Sequence, residues 1–189
     1  LAAAWIPPCL AQGSDEPDPT LAIDEVFAAA DAEGTLALRW LDSGKELIYQ
    51  PQRAETRLSP ASTFKIPNTL IALDLGIVQS KDSPFEWDGT QRDVAAWNSD
   101  QTLESAFRVS CVWCYQELAR TVGDARYRSQ LAEIRYGNEQ IGDAVDQFWL
   151  DNTLRISAME QIAFLDSLLT GSLPYSPEHL QILKSIMLV

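Results

Sequence analysis

The pattern of apolar and polar positions changes character once along the chain. Thr35-Leu36-Ala37-Leu38-Arg39-Trp40-Leu41 and Lys45-Glu46-Leu47-Ile48-Tyr49 read as two strands, and Asp42-Ser43-Gly44 between them has the chemistry of a hairpin turn. From Thr102 the apolar spacing is helical nearly to the end. It predicts helices over about 102–108, 111–122, 124–134, 157–170 and 177–187, with Gly or Pro between them. Ahead of the strands, Thr20 can cap a short amphipathic helix from Leu21 to about Ala30, ended by Gly34. After them, Arg53 to Pro60 reads as a connection. A helix then runs from about Ala61 to Leu75, closed by Gly76 in the left-handed conformation. Ser80 to Asp93 is polar and irregular. A lone hairpin is at best marginally stable in water. The pattern therefore calls for more strands, and it places them beyond residue 189, because Ser185-Ile186-Met187-Leu188-Val189 stops in mid-helix without a cap.

Composition narrows the classes of function. The 189 residues carry 14 basic and 27 acidic side chains, a net charge of −13. A field of that sign repels phosphate, which argues against nucleic acid and against an anionic membrane surface. Leu1 to Gly13 reads as the tail of a secretory signal, small, apolar and too short to span a bilayer. Cys9-Leu10-Ala11 offers a cleavage site, which makes residues 1–11 a signal remnant and Gln12 the first mature residue. A lipid-modified Cys9 is the runner-up, although Pro7-Pro8 before it suits that poorly; an ordinary apolar terminus is a third reading. Cleavage predicts a periplasmic or secreted protein with no membrane attachment. Of the remaining cysteines, Cys111 and Cys114 form a C-x-x-C pair in a segment that reads as helix. Two small buried thiols are expected there rather than a catalytic dithiol.

The chain has one histidine, His179, in Ser176-Pro177-Glu178-His179-Leu180, an N-capped helix start expected to be exposed. A Ser-His-Asp triad would have to pass through it. One histidine and an i, i+3 cysteine pair also make structural zinc a poor fit, and no metal is expected.

That leaves Ser62-Thr63-Phe64-Lys65. On a helix, positions i and i+3 share a face, so the Ser62 hydroxyl and the Lys65 amine can meet. A serine is a weak nucleophile until a base takes its proton. A lysine serves as that base only when neutral, which requires burial to pull its pKa well below the ordinary range. Phe64, Ile66, Pro67 and Leu70 provide apolar surroundings. S-x-x-K by itself is a short match, and a capped helix with a lysine in its first turns satisfies it equally.

Four further segments extend the match. Pro60-Ala61-Ser62-Thr63-Phe64-Lys65-Ile66-Pro67-Asn68 resembles the nucleophile segment of the class D, oxacillinase-type serine β-lactamases almost letter for letter. Ser110-Cys111-Val112 is similar to their S-x-V motif and Tyr136-Gly137-Asn138 to their Y-G-N motif. Phe148-Trp149-Leu150 is similar to the segment that brings a tryptophan onto the lysine, and Ile156 to Gln161 to the helix start that follows. The order and approximate spacing are the family's, over roughly residues 20 to 189. The S-D-N element of the class A enzymes does not occur.

The resemblance implies an α+β fold, an antiparallel sheet flanked by helices with an all-α part over about 77–170, of which residues 12–189 form an incomplete transpeptidase-like domain. It implies hydrolysis of β-lactams through an acyl-enzyme on Ser62. The base it implies is Lys65 carboxylated by carbon dioxide, which is the one covalent modifier and no separate cofactor. Ser110 would pass a proton to the departing lactam nitrogen. The Trp149 indole would donate to the carbamate, and the Ser62 backbone N–H would form half of the oxyanion hole. Val112 and Leu150 would be site wall as well as core, and Trp97 a rim aromatic against substrate, or else a plain hydrophobic plug. Tyr136-Gly137-Asn138 would be a turn as well as a motif, with Gly137 and Asn138 in left-handed φ. The family's K-T-G element and its carboxylate-binding arginine do not appear before Val189. Losing one oxyanion donor costs about 100- to 1,000-fold in rate, so the 189-residue segment alone is expected to be inactive. A β-lactam sensor acylated at the same serine without fast turnover, and a penicillin-binding transpeptidase, are the competing readings. Oligomeric state is not legible.

Overall fold

The computed structural model describes residues 19–188, so the signal-segment reading, Cys9 and Gln12 with it, falls outside the described residues. Two compact units divide at Gly34. In the first, helix α1 spans Pro19–Ala29, two residues ahead of the predicted start. A proline fits a first helical position, where no N–H is needed. The left-handed residue after the helix is Asp31 at φ 47° rather than Gly34.

The second unit opens with β1 (Leu36–Arg39) and β2 (Glu46–Tyr49), antiparallel in the register Leu36–Tyr49 to Arg39–Glu46. Gly44 at φ 67° closes the predicted turn, its N–H donating to the Trp40 carbonyl at 2.8 Å. The connection after the hairpin contains a one-turn helix, α2 (Pro51–Ala54). The predicted 61–75 helix is two pieces: a 3₁₀ turn over Ala61–Phe64, then α3 over Lys65–Asp74. The segment expected to be irregular holds a short ladder, β3 (Pro84–Phe85) against β4 (Gln101–Thr102), because Phe85 turns into the core with 4% exposure. The helices that follow agree with the periodicity to within about a residue: α4 (Leu103–Arg108), α5 (Val112–Val122), α6 (Asp124–Glu133), α7 (Ala158–Thr170) and α8 (Pro177–Met187).

Their starts are chemically specified. Thr102 with Ser105, and Ser157 with Glu160, form reciprocal capping boxes, and the Ser176 hydroxyl accepts from the His179 N–H. Each satisfies backbone donors that the first helical turn leaves open. Helix α3 lies deepest, packed on α5 and α8, with Leu70, Ile71 and Ala72 fully buried. Its two buried polar residues are tied to tyrosines: Thr69 Oγ1 lies 3.0 Å from the Tyr115 hydroxyl, and Tyr127 donates to Asn68 Oδ1 at 2.7 Å. Helix α7 packs against β1, and Arg39 joins Glu46 across the hairpin and Asp166 on α7 at 3.0 Å. Small antiparallel sheets with eight helices among the described residues make this an α+β chain.

Candidate active site

Ser62 stands exposed in the 3₁₀ turn, and Lys65 is the first residue of α3. Side chains at i and i+3 eclipse in 3₁₀ geometry, so the break in the helix brings the pair onto one side more directly than a continuous α-helix would. Phe64 between them points the other way and is fully buried. It stacks on Trp149 at 5.5 Å and meets the edges of Phe148 at 5.1 Å and Tyr136 at 5.9 Å. The turn is held from its start as well: the Trp149 carbonyl accepts from Ser59 Oγ at 2.7 Å and from the Ala61 N–H at 3.1 Å.

The Lys65 Nζ donates to Ser110 Oγ at 2.8 Å and to the Phe107 carbonyl at 2.9 Å, and it lies 4.5 Å from the centre of the Phe107 ring. Burial lowers the pKa of this amine. The charged form loses hydration there, while the neutral form loses little. Among the described residues no carboxylate forms a salt bridge with it.

Ser62, Lys65, Ser110, Val112, Trp149 and Leu150 line one cavity, so six residues drawn from three distant segments converge. The volume open to the centre of a water-sized sphere is about 20 Å³, on the order of what one water needs. Val112 is half-buried. Leu150 is 37% exposed, so it is wall and not core, in contrast to the expectation; it lines the cavity and is partly open to solvent. Two expected site residues lie elsewhere. Tyr136 is fully buried behind Phe64, and burial pushes its hydroxyl up to about 12. Trp97 is absent from the cavity lining; its indole donates to the Val109 carbonyl at 3.0 Å and its own carbonyl accepts from Trp113 Nε1 at 2.9 Å, so it braces the residue before Ser110.

The Y-G-N turn acts at one remove. Gly137 has φ 57°, and a Cβ on it would collide with the Arg155 carbonyl oxygen. Asn138 is not in left-handed φ; Arg135 at φ 51° and Glu139 at φ 60° are. Asn138 is instead a side-chain clamp, its Nδ2 donating to the Thr153 carbonyl and its Oδ1 accepting from the Arg155 N–H, both at 2.9 Å. The turn thereby fixes the strand of chain that follows Trp149.

Three features escaped the sequence reading. Asn68, three residues past Lys65 and on the cavity wall, is fully buried with its Nδ2 unpartnered. A buried donor without an acceptor costs about 1–3 kcal/mol, so it marks a place for an acceptor beside Lys65. Its i+3 spacing was a usable signal. The second is the Phe107 carbonyl, a backbone group that no side-chain pattern announces. The third corrects an expectation: Cys111 and Cys114 are not free thiols but a disulfide. Cys111 lies outside the helix, at the N-cap of α5, which brings the two sulfurs together. His179 is likewise half-buried rather than exposed, 3.7 Å from Asp74 at the far end of α3. Ten helical residues span about 15 Å, which places His179 far from Ser62 and Lys65.

The penicillin-binding protein transpeptidase domain family matches residues 26–187. The β-lactamase OXA-48 of Klebsiella pneumoniae is 50% identical over 163 residues, covering 86% of this chain and 61% of its own length. The β-lactamase OXA-2 of Salmonella typhimurium is 43% identical over 166 residues, covering 86% and 60% respectively. The class D β-lactamase of Bacillus subtilis superposes with a TM-score of 0.84 at 40% identity, over 87% of this chain and 69% of that one. The class D β-lactamase FUS-1 (OXA-85) of Fusobacterium nucleatum subsp. polymorphum superposes at 0.87 and 38% identity, over 89% and 70%. The chain thus spans about three-fifths of the length of the curated relatives it matches. With its serine, lysine and second serine gathered in one cavity, the chain belongs to the penicillin-binding protein transpeptidase family and, within it, to the class D β-lactamases.

Proposed function

We propose that the whole protein hydrolyses β-lactams through an acyl-enzyme on Ser62, with Lys65 carboxylated at Nζ. The observation that carries this reading is a desolvated amine without a carboxylate partner, in one cavity with an exposed serine. Carbon dioxide reacts with the neutral amine only; an N–C bond forms and one proton leaves. The residues present fit the product. Trp149 supplies an indole donor and Asn68 an orphaned amide donor around Lys65, and Val112 and Leu150 add apolar wall to the same cavity. The group would supply an anionic base of tunable basicity.

The chain's own residues do the rest. Ser62 Oγ gives up its proton to the base that Lys65 would carry and attacks the lactam carbonyl carbon. The carbonyl oxygen becomes an oxyanion, for which the Ser62 N–H is one donor at the start of the 3₁₀ turn. The carbon–nitrogen bond of the ring then breaks, and Ser110, already hydrogen-bonded to Lys65, delivers a proton to the leaving nitrogen and would be reprotonated with the proton taken from Ser62. Water, losing a proton to the same base, attacks the ester carbon, and that proton returns to Ser62 Oγ as the ester carbon–oxygen bond breaks. The disulfide agrees with an exported protein in an oxidising compartment, which the signal-like start also favours.

The test uses the full-length protein, acid-treated and stripped of carbon dioxide. Hydrolysis of a chromogenic cephalosporin should return as bicarbonate is added and fade as pH falls, because protonating the amine reverses carboxylation. Activity unaffected by carbon dioxide would refute the base assignment. An acyl adduct persisting for many minutes would support the sensor reading instead.

A further inference from the structure

We infer that the Cys111–Cys114 disulfide is the element that positions Ser110, holding the proton donor of the site in a backbone conformation it would not keep unaided; the inference rests on the role proposed above for Ser110. Ser110 has φ 50°. A side chain there crowds the following carbonyl, and a serine in that region relaxes unless its neighbours hold it. On the N-terminal side Val109 is held, its N–H donating to the Ser105 carbonyl at 2.9 Å and its carbonyl accepting from the Trp97 indole at 3.0 Å, but the backbone of Ser110 itself is held weakly. The Ser110 N–H reaches the Phe107 carbonyl only at 3.3 Å, and α4 has already ended at Arg108. The firm restraint comes next. The Cys111 N–H donates to the Ala106 carbonyl at 2.9 Å, and the Cys111 sulfur is bonded to Cys114 in the first turn of α5.

The cross-link sits where a hydrogen-bonding cap would ordinarily be. N-caps favour Ser, Thr, Asp or Asn because an oxygen accepts from the first turn. Here the acceptor is the Cys111 sulfur, 3.3 Å from the Cys114 N–H, and sulfur is a weak acceptor. The covalent bond does what a poor cap does not: it fixes Cys111 to a helix anchored in the core by Trp113, Tyr115 and Leu118. The residues on either side of Cys111, Ser110 and Val112, both face the cavity. Freeing Cys111 therefore releases the serine that receives the Lys65 hydrogen bond. Both cysteines are fully buried, so neither is placed to attack a substrate itself.

The experiment compares oxidised and reduced full-length protein. A dithiol reductant, added in denaturant because the pair is buried and kept on during refolding, donates two electrons and two protons, opens the disulfide to two thiols and itself closes to a disulfide. Alkylation followed by mass measurement counts the thiols, and circular dichroism confirms that the fold persists. Reduction should lower the acylation rate by about 10-fold, the effect of releasing a strained backbone geometry at a reacting group, and should shift the pH profile of acylation as Ser110 leaves Lys65. The C111A/C114A double variant should show the same loss and be indifferent to reductant. A C111S/C114A variant, which restores an oxygen cap without the cross-link, should recover part of the rate. Equal rates and pH profiles in oxidised and verified reduced protein would overturn the inference, as would two free thiols in the native protein. If even the oxidised protein is not acylated by any β-lactam, the proposed function fails and not the positioning role alone.

Discussion

Replacing Asn68 by Asp probes the cavity most directly. The Tyr127 hydroxyl keeps its acceptor, since a carboxylate oxygen takes the place of Asn68 Oδ1. The unpartnered Nδ2 becomes a second oxygen, and the cavity gains a negative charge next to Lys65. Residues three apart on a helix have Cβ atoms about 5–6 Å apart. Two unit charges at about that separation, at an effective dielectric of about 20, attract by about 3 kcal/mol, on the order of 100-fold in an equilibrium constant. That attraction favours the ammonium form, opposing the desolvation that now lowers the Lys65 pKa. Carboxylation consumes the neutral amine, so half-saturation with carbon dioxide should need about 100-fold more of it. The carbamate carbon can be counted by 13C NMR after adding labelled bicarbonate to the carbon-dioxide-stripped, full-length Asn68→Asp protein. Native-like labelling, within about 3-fold, would refute the idea that Asn68 faces the reacting nitrogen; that margin is well inside the electrostatic effect.

Two other substitutions test the scaffold. Phe64→Ala removes the fully buried ring that anchors the Ser62 turn among Trp149, Phe148 and Tyr136. It should cost about 3–5 kcal/mol in urea unfolding, and a loss under about 1 kcal/mol would show that the cluster collapses around the gap. Glu160→Gln keeps an acceptor for the Ser157 N–H, which Glu160 now meets at 2.9 Å, but removes the charge facing Arg57 at 2.5 Å. The Arg57 guanidinium, more than the capping contact, holds the Glu160 carboxyl below its ordinary range. Its stability contribution is thus present above the unfolded carboxylate's pKa and lost as pH falls through the depressed folded value. Both side chains are partly exposed, so the difference at pH 7 should be under about 1 kcal/mol and vanish on acidification; a difference that grew toward acid pH would contradict the assignment.

Much of the local structure is legible from residues within four positions of one another. Thr102, Ser157 and Ser176 announce helix starts, because a cap bonds to its own first turn. Gly44 and Gly76 announce chain reversals, because left-handed φ is easiest without a Cβ. The Ser62–Lys65 spacing and the order of the Ser110, Tyr136 and Trp149 segments are also properties of the sequence alone, and they sufficed to name a family. The short β3–β4 ladder was missed because its partners are separated by a long loop, so no local pairing signal exists.

Tertiary structure decided what touches what. The hydrogen bonds from Lys65 span 42 and 45 positions, and the one that ties Ser59 to Trp149 spans 90. Such contacts depend on how helices pack, and two residues of similar pattern can end on opposite sides of a core. Packing sent Tyr136 behind the turn and Trp97 onto the Val109 backbone. It brought Asn68 onto the cavity wall and closed Cys111 on Cys114. The sequence alone determined that a serine and a lysine share a face, since one helical turn dictates it. Only the fold decided that the lysine is half-buried and paired with Ser110, because desolvation is a property of everything packed around a group.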